Sequence, residues 1–190
     1  EIEPGELEYM MIAGRSLFES GKLVDAAKWF KRIRDKLPTY PKVLFYMAKI
    51  DYHRGESDSA LKKIQENIKA NGETDDDLVF MAEIHLEKNN DNEAEIFFKK
   101  AQKINPRSYE AIIGLADLSI KKSNIDFALD LYKNAIKLRQ DEPSVHKKIG
   151  DAYRLLGQGA LAIEAYKLYL DMEPNSLHKN NLESYINMMK

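Results

Sequence analysis

The sequence predicts an all-α protein, a solenoid of antiparallel helix pairs, on three observations. A block of 34 residues recurs five times with no insertion or deletion. Within each block the apolar residues fall three to four apart, the period of a helix rather than a strand. A small residue and a bulky apolar one return at the same places in every copy. Self-similarity at a period of roughly 20–50 residues marks stacked supersecondary units, each too small to bury its own apolar face.

The copies are 7–40, 41–74, 75–108, 109–142 and 143–176. First helices are predicted near 7–20, 41–54, 75–88, 109–122 and 143–156, and second helices near 23–36, 57–70, 91–104, 125–138 and 159–172. Between them stand the turn residues Gly21, Gly55, Asn89, Ser123 and Gly157, all at the fifteenth place. Near the block ends, Pro38, Gly72, Pro106 and Pro174 stop the second helix. The eighth place is always small (Gly14, Ala48, Ala82, Ala116, Gly150), and so is the twentieth (Ala26, Ala60, Ala94, Ala128, Ala162). The twenty-fourth is Phe30, Ile64, Phe98, Tyr132 or Tyr166. Two helices joined by a short turn approach closely only where no large side chain intervenes, and the bulky place fills the space beside that contact.

One segment invites a different reading. In LGQGALA (156–162), Gly157, Gly159 and Ala162 spell G-x-G-x-x-A, the turn that cradles a dinucleotide pyrophosphate. Such a turn must follow a strand. Here an amphipathic helix, Val145 to Leu156, precedes it, and the same turn recurs four times without its glycine pair. Gly157 is therefore the turn residue and Ala162 the small contact. Gly159 stands out, because its counterparts are Leu23, Ser57, Asp91 and Ile125, and we expect it to loosen a helix start.

Over residues 7–176 the sequence resembles the tetratricopeptide-repeat proteins, most closely in the fifth copy with Ile149-Gly150, Tyr153, Gly157, Ala162, Tyr166 and Pro174. It departs from the family where tryptophan is missing at every fourth place. Asp51, His85 and Ser119 replace the usual aromatic at the eleventh, and Asn67 and Tyr169 the small residue at the twenty-seventh. The resemblance implies a right-handed superhelical α-solenoid, with residues 1–176 as one solenoid domain of five repeats. Residues 177–190 fall where a sixth copy would begin, and Leu182, Tyr185, Ile186 and Met189 form one apolar stripe. A half-repeat with one polar face closes the last exposed surface of a solenoid, so a C-terminal capping helix is expected.

Composition excludes several functions. The net charge is -2, which gives no general attraction to polyanions. Basic clusters such as Lys28-Lys31-Arg32-Arg34-Lys36 sit at helix ends, opposite acids such as Asp25 and Asp58 in the first turns, as dipole complementation requires. We expect no nucleic acid as partner. No run reaches the ~18 apolar residues of a membrane span, and no membrane insertion is expected. Cysteine is absent, which rules out disulfides and leaves the compartment open; a cytoplasmic setting is our expectation. The chain starts at Glu1, and we expect a piece of a longer protein.

The four histidines, His53, His85, His146 and His178, form no i, i+4 pair, and no metal is expected. The run Asp75-Asp76-Asp77 opens a helix, where carboxylates cap free N–H groups. No catalytic triad, paired catalytic carboxylates or Walker loop is present, so neither an enzyme nor a cofactor is expected.

What the resemblance implies instead is a protein-interaction scaffold. First helices would line a concave groove with three ladders. The fifth place reads Met11, Phe45, Val79, Ile113, Lys147, and the twelfth Phe18, Tyr52, Leu86, Ile120, Arg154. The ninth reads Arg15, Lys49, Glu83, Asp117, Asp151, basic first and acidic last. Either the apolar ladders are core, or they anchor a peptide segment or helix of a partner protein, oriented by the charges. The lysine, asparagine and arginine set with which some members of the family hold a chaperone's terminal carboxylate matches no window here. Tyr9 and Ile12 occupy places that later copies turn toward a preceding unit. A homodimer through that face, or a docking module of a larger protein, is the alternative.

Overall fold

The computed structural model describes residues 4–189. Among them run eleven helices and no strand. They are α1 (Pro4–Glu19), α2 (Leu23–Lys36), α3 (Val43–His53), α4 (Ser57–Asn71), α5 (Asp75–Glu87), α6 (Asp91–Ile104), α7 (Tyr109–Lys121), α8 (Ile125–Leu138), α9 (Pro143–Leu155), α10 (Gly159–Met172) and α11 (Lys179–Met188). The second helices begin at the residues predicted for them. Two starts differ: α1 begins at Pro4 rather than 7, and α3 at Val43 rather than 41, because Lys42 adopts a left-handed conformation, φ 63°, that no helix continues through.

All five intra-repeat turns share one geometry. Gly21, Gly55, Asn89, Ser123 and Gly157 have φ of 74°, 78°, 58°, 59° and 70°. In each, the turn residue's N–H donates to the carbonyl three back, and the next N–H to the carbonyl five back, as in Gly157 to Arg154 (3.1 Å) and Gln158 to Tyr153 (2.9 Å). This Schellman arrangement satisfies the helix's orphan carbonyls and reverses the chain. Asn89 and Ser123 adopt it without glycine's freedom, so the hydrogen bonds and packing outweigh a local cost of about 1–2 kcal/mol.

The chain divides into two compact units, Glu1–Phe97 and Phe98–Lys190, where the sequence suggested one domain over 1–176. The border passes through α6 for a reason visible in its side chains. Successive residues of a helix point about 100° apart. Phe97 stacks on His85 with ring centroids 5.3 Å apart, whereas Phe98 lies against Gly114.

In the first unit, α1 packs on α2, α2 on α3, α3 on α4 and α4 on α5. The contact between small and bulky places is direct. A Cβ on Gly14 would stand 2.7 Å from Cε1 of Phe30, which is fully buried with Ala26 and Ile33. In the second unit α7 packs on α8, α8 on α9 and α9 on α10, and a Cβ on Gly150 would meet the Tyr166 ring at 2.5 Å.

Three of the departures from the family pattern, Asp51, Asn67 and Tyr169, have polar explanations. Asp51 is buried; its Oδ2 accepts from Ser59 Oγ at 2.5 Å and from Lys63 Nζ. Asn67 is buried because its amide donates to Asp77 at 2.9 Å, and Asn71 donates to its oxygen at 3.1 Å. Asp77 also completes a capping box with Thr74 at the start of α5, which is what the aspartate run was expected to do. Burial is the main influence on the Asp77 carboxyl and raises its pKa, while the bonds from Thr74 and Asn67 oppose the rise. Tyr169 fills a place meant for a small residue by sharing a hydrogen bond with Ser176.

Helix α11 packs on α10, at the place where the sequence leads us to expect a capping helix. Leu182 and Ile186 are buried with Ala162, Tyr166 and Tyr169, and Tyr185 stands edge-on to Tyr166 at 5.7 Å. Residues 1–3 and Lys190, the outer ends of the predicted solenoid and cap, lie outside the described residues. Gly159 needs a different account from the one the sequence suggested. It is the first residue of α10, and a Cβ there would stand 2.5 Å from Cε of Met189. The missing side chain makes room for the cap.

Candidate functional site

The first helices carry the predicted site residues, and each unit sorts them differently. In the first unit the fifth place is mostly core. Phe45 is 7% exposed and Val79 8%, and only Met11 stays half-buried. Phe45 and Val79 are therefore not the partner anchors that the ladder suggested. Phe45 packs in one cluster with Phe80, Met81 and Ile84 of α5, and Val79 is one of the buried residues of α5 itself.

What remains accessible is aromatic and centred on the twelfth place. Phe18, Tyr52 and Leu86 are half-buried. Phe18 stands edge-on to Tyr46 at 5.6 Å and 5.7 Å from the exposed His53 ring; Tyr52 lies 6.1 Å from His53 and 5.5 Å from Phe80. Tyr46 and His53 were missed in the sequence as members of this face. Tyr46, at a sixth place, is held half-exposed by stacking on Phe30 at 5.3 Å.

The basic ninth-place residues flank that face. Lys49 Nζ sits 5.0 Å above Phe45 and 5.5 Å above Phe80, so the two buried rings hold its ammonium in place. Arg15 is exposed and 3.7 Å from Glu19. Glu83 is half-buried.

In the second unit the acidic ninth-place residues do not form an open row. Asp117 accepts from the Tyr132 hydroxyl at 2.5 Å and from Lys148 at 2.8 Å. Asp151 accepts from Tyr166 at 2.7 Å and from Lys147 at 2.8 Å, with Arg154 at 3.9 Å. Burial first, then the carboxylate acceptor, pushes both tyrosine hydroxyls well above their ordinary pKa. The predicted charge polarity is corrected accordingly: these acids serve internal networks that join a first helix to its partner. The signal was in the sequence, since tyrosine occupies the twenty-fourth place only where aspartate occupies the ninth. Ile113, the other predicted anchor here, is half-buried.

Tyr9 and Ile12 on α1 are 64% and 54% exposed, whereas Val43, Asp77, Ala111 and Val145, the counterparts of Tyr9, are buried. Tyr9 meets the edge of Trp29 at 6.1 Å. His85 Nδ1 is buried without a hydrogen-bond partner in the described structure. Among the described residues no group of three histidines or carboxylates is placed to hold a metal ion, and no helix is long and apolar enough to cross a membrane.

Three sequence models match. One described as the second ARM domain of tetratricopeptide repeat protein 21 covers residues 8–89; two described as tetratricopeptide repeat cover 78–108 and 113–176. No curated protein matches. Among solved structures, a thermophilic TPR protein of Thermus thermophilus is similar at 19% identity and a TM-score of 0.75, over 95% of this chain and 98% of that one. YrrB, described as a TPR protein with an unusual peptide-binding site, is similar at 12% identity and a TM-score of 0.66, over 92% and 90%. The APC/C hetero-tetramer Cut9–Hcn1 contains a chain that is 18% identical with a TM-score of 0.81, over 96% of this chain and 36% of that one. At such identities the likeness is one of fold.

Proposed function

We propose, from the premise that this chain is a tetratricopeptide-repeat protein, that it is a non-enzymatic scaffold whose first-helix faces hold a segment of a partner protein. The fold supports a protein-interaction role. The observation that carries the finer reading is the accessible aromatic face of the first unit, Phe18, Tyr46, Tyr52 and His53, with Arg15 and Lys49 beside it. An extended or helical segment would bury apolar anchors on Phe18 and Tyr52, each contributing roughly 1.5–3 kcal/mol when fully covered. An acidic residue of that segment would lie toward Arg15 and Lys49, setting its direction more than its affinity.

The test is capture of partners by the intact protein, followed by calorimetry with the captured segment. Phe18→Ala with Arg15→Glu is expected to lower affinity by at least about tenfold, since one lost anchor already exceeds about 1.4 kcal/mol. Circular dichroism should show an unchanged fold, because Phe18 is only half-buried and Arg15 is exposed. Equal binding by wild type and double variant would refute the assignment of this face.

A second reading rests on the exposure of Tyr9 and Ile12: the α1 face pairs with another copy of the chain. Light scattering decides it, with a dimer across the micromolar range that Ile12→Glu abolishes. A clean monomer would remove this reading and leave the first intact.

A further inference from the structure

We infer that the Asn71–Gly72 pair at the end of α4 is a self-acting modification site: it deamidates through a cyclic imide when the last turn of α4 opens, and the acid formed loosens the joint between α4 and α5. The site uses other residues than the partner face and does not depend on it.

Asn71 and Gly72 are the single Asn-Gly pair of the sequence. Glycine has no side chain to shield its nitrogen from the carboxamide before it. In the reaction the Gly72 nitrogen gives its proton to solvent and attacks Cγ of Asn71. The new N–Cγ bond closes a five-membered succinimide. The Cγ–Nδ2 bond breaks, and Nδ2 leaves as ammonia with a proton returned by solvent. Water then opens one of the two imide carbonyls, giving aspartate or isoaspartate.

Two hydrogen bonds hold the reacting groups apart. The Gly72 N–H donates to the Ile68 carbonyl at 2.9 Å, and the Asn71 amide donates to Oδ1 of Asn67 at 3.1 Å. Both belong to the last turn of α4, and helix ends open at far lower cost than the global fold. Solvent already reaches the pair. Asn71 and Gly72 are exposed, and they line a cleft of about 190 Å³ with Pro41, Phe45 and Asp77. Opening of the turn therefore controls the rate.

The product breaks a buried network. Asn71 supplies the donor for Asn67, and Asn67 in turn donates to Asp77 at 2.9 Å. An ionised carboxylate at 71 presents only acceptors. Either it repels the Asn67 oxygen, or Asn67 turns its amide and sets that oxygen against Asp77. Asp77 is 1% exposed and caps α5 through Thr74, so the loss falls on a buried group. The new charge also stands at the negative end of the α4 dipole, in a cleft that Asp76 lines with Lys42 already paired to it. Isoaspartate in addition lengthens the main chain at the helix end.

The experiment is peptide mapping of the full chain during incubation in warm neutral buffer. Cleavage after Lys69 and Lys88 leaves Asn71 as the single asparagine of its fragment. A synthetic peptide of residues 65–76 gives the rate without the helix. Aspartate and isoaspartate should both form at position 71, at least about tenfold more slowly in the folded protein than in the peptide, the worth of the two bonds that open. Unfolding the chain in urea should remove the difference. Asn71→Asp should raise the unfolding equilibrium constant about tenfold, and the effect should shrink in an Asn67→Ala background. Asn71→Gln, whose ring would have six members, should stay unconverted. Aspartate without isoaspartate would overturn the inference, and so would equal rates in folded protein and peptide. Retention of Asn71 while the exposed Asn175 converts, or an Asn71→Asp protein as stable as wild type, would overturn it as well.

Discussion

Phe30→Ala is expected to lower the unfolding free energy by about 3–5 kcal/mol, the cost of a large buried ring and the cavity it leaves. Phe30 is fully buried, lies against Gly14 and forms the stack on which Tyr46 rests. The companion change tests the packing more sharply than the truncation alone. Gly14→Ala should destabilise the native protein by about 1–2 kcal/mol. Its Cβ would stand 2.7 Å from Phe30 Cε1, and overpacking of about 1–3 kcal/mol exceeds the roughly 1 kcal/mol that alanine gains over glycine inside a helix. In the Phe30→Ala background the clash is gone, and the same Gly14→Ala should become stabilising. Chemical denaturation of the four proteins of this cycle measures the reversal. Additive effects would mean that the ring does not sit over Gly14.

Asp51→Ala is expected to cost about 3 kcal/mol, because it strands the Lys63 ammonium in a poorly solvated place. Asp51 accepts from both Ser59 and Lys63, and the side-chain exposures of the ion pair are small, 9% for Asp51 and 19% for Lys63. Removing both charges should cost far less. Asp51→Ala with Lys63→Met leaves no unpaired ion, and replacing a buried pair by apolar groups is often close to neutral. The expected signature is a double variant more stable than Asp51→Ala alone, read from urea midpoints. A double variant that loses the sum of both single losses would show that the pair is not coupled.

Much of the fold was legible because repetition supplies five readings of one pattern. The fifteenth-place turn residues, the alanines at the twentieth place and the starts of the second helices needed only the 34-residue register and helical spacing. The cap was legible from Leu182 and Ile186, whose stripe is local to one helix. The border inside α6 was not, since it depends on whether Phe97 and Phe98 turn toward α5 or α7.

The candidate site was legible only in part. A ladder read from the sequence says which residues share a helix face, not how deep a neighbouring helix sinks into it. Phe45 and Phe18 both occupy first-helix places that point broadly toward one face, yet α5 covers the first and leaves the second half open. The acids at the ninth place looked like half of a charge gradient, and the tyrosines fifteen residues on turned out to hold them.

Ten helices in five consecutive pairs and an eleventh after them could be read from the sequence, because period, turn residues and small contacts are properties of short stretches. The tertiary structure alone decided which of the ladder residues are surface and which are core. It also gave Gly159 its purpose, as the space for Met189, and brought Asn181 and Tyr185 to one cleft with Arg154. Those outcomes depend on how closely residues about 30 positions apart approach one another, and helix periodicity carries no information about that distance.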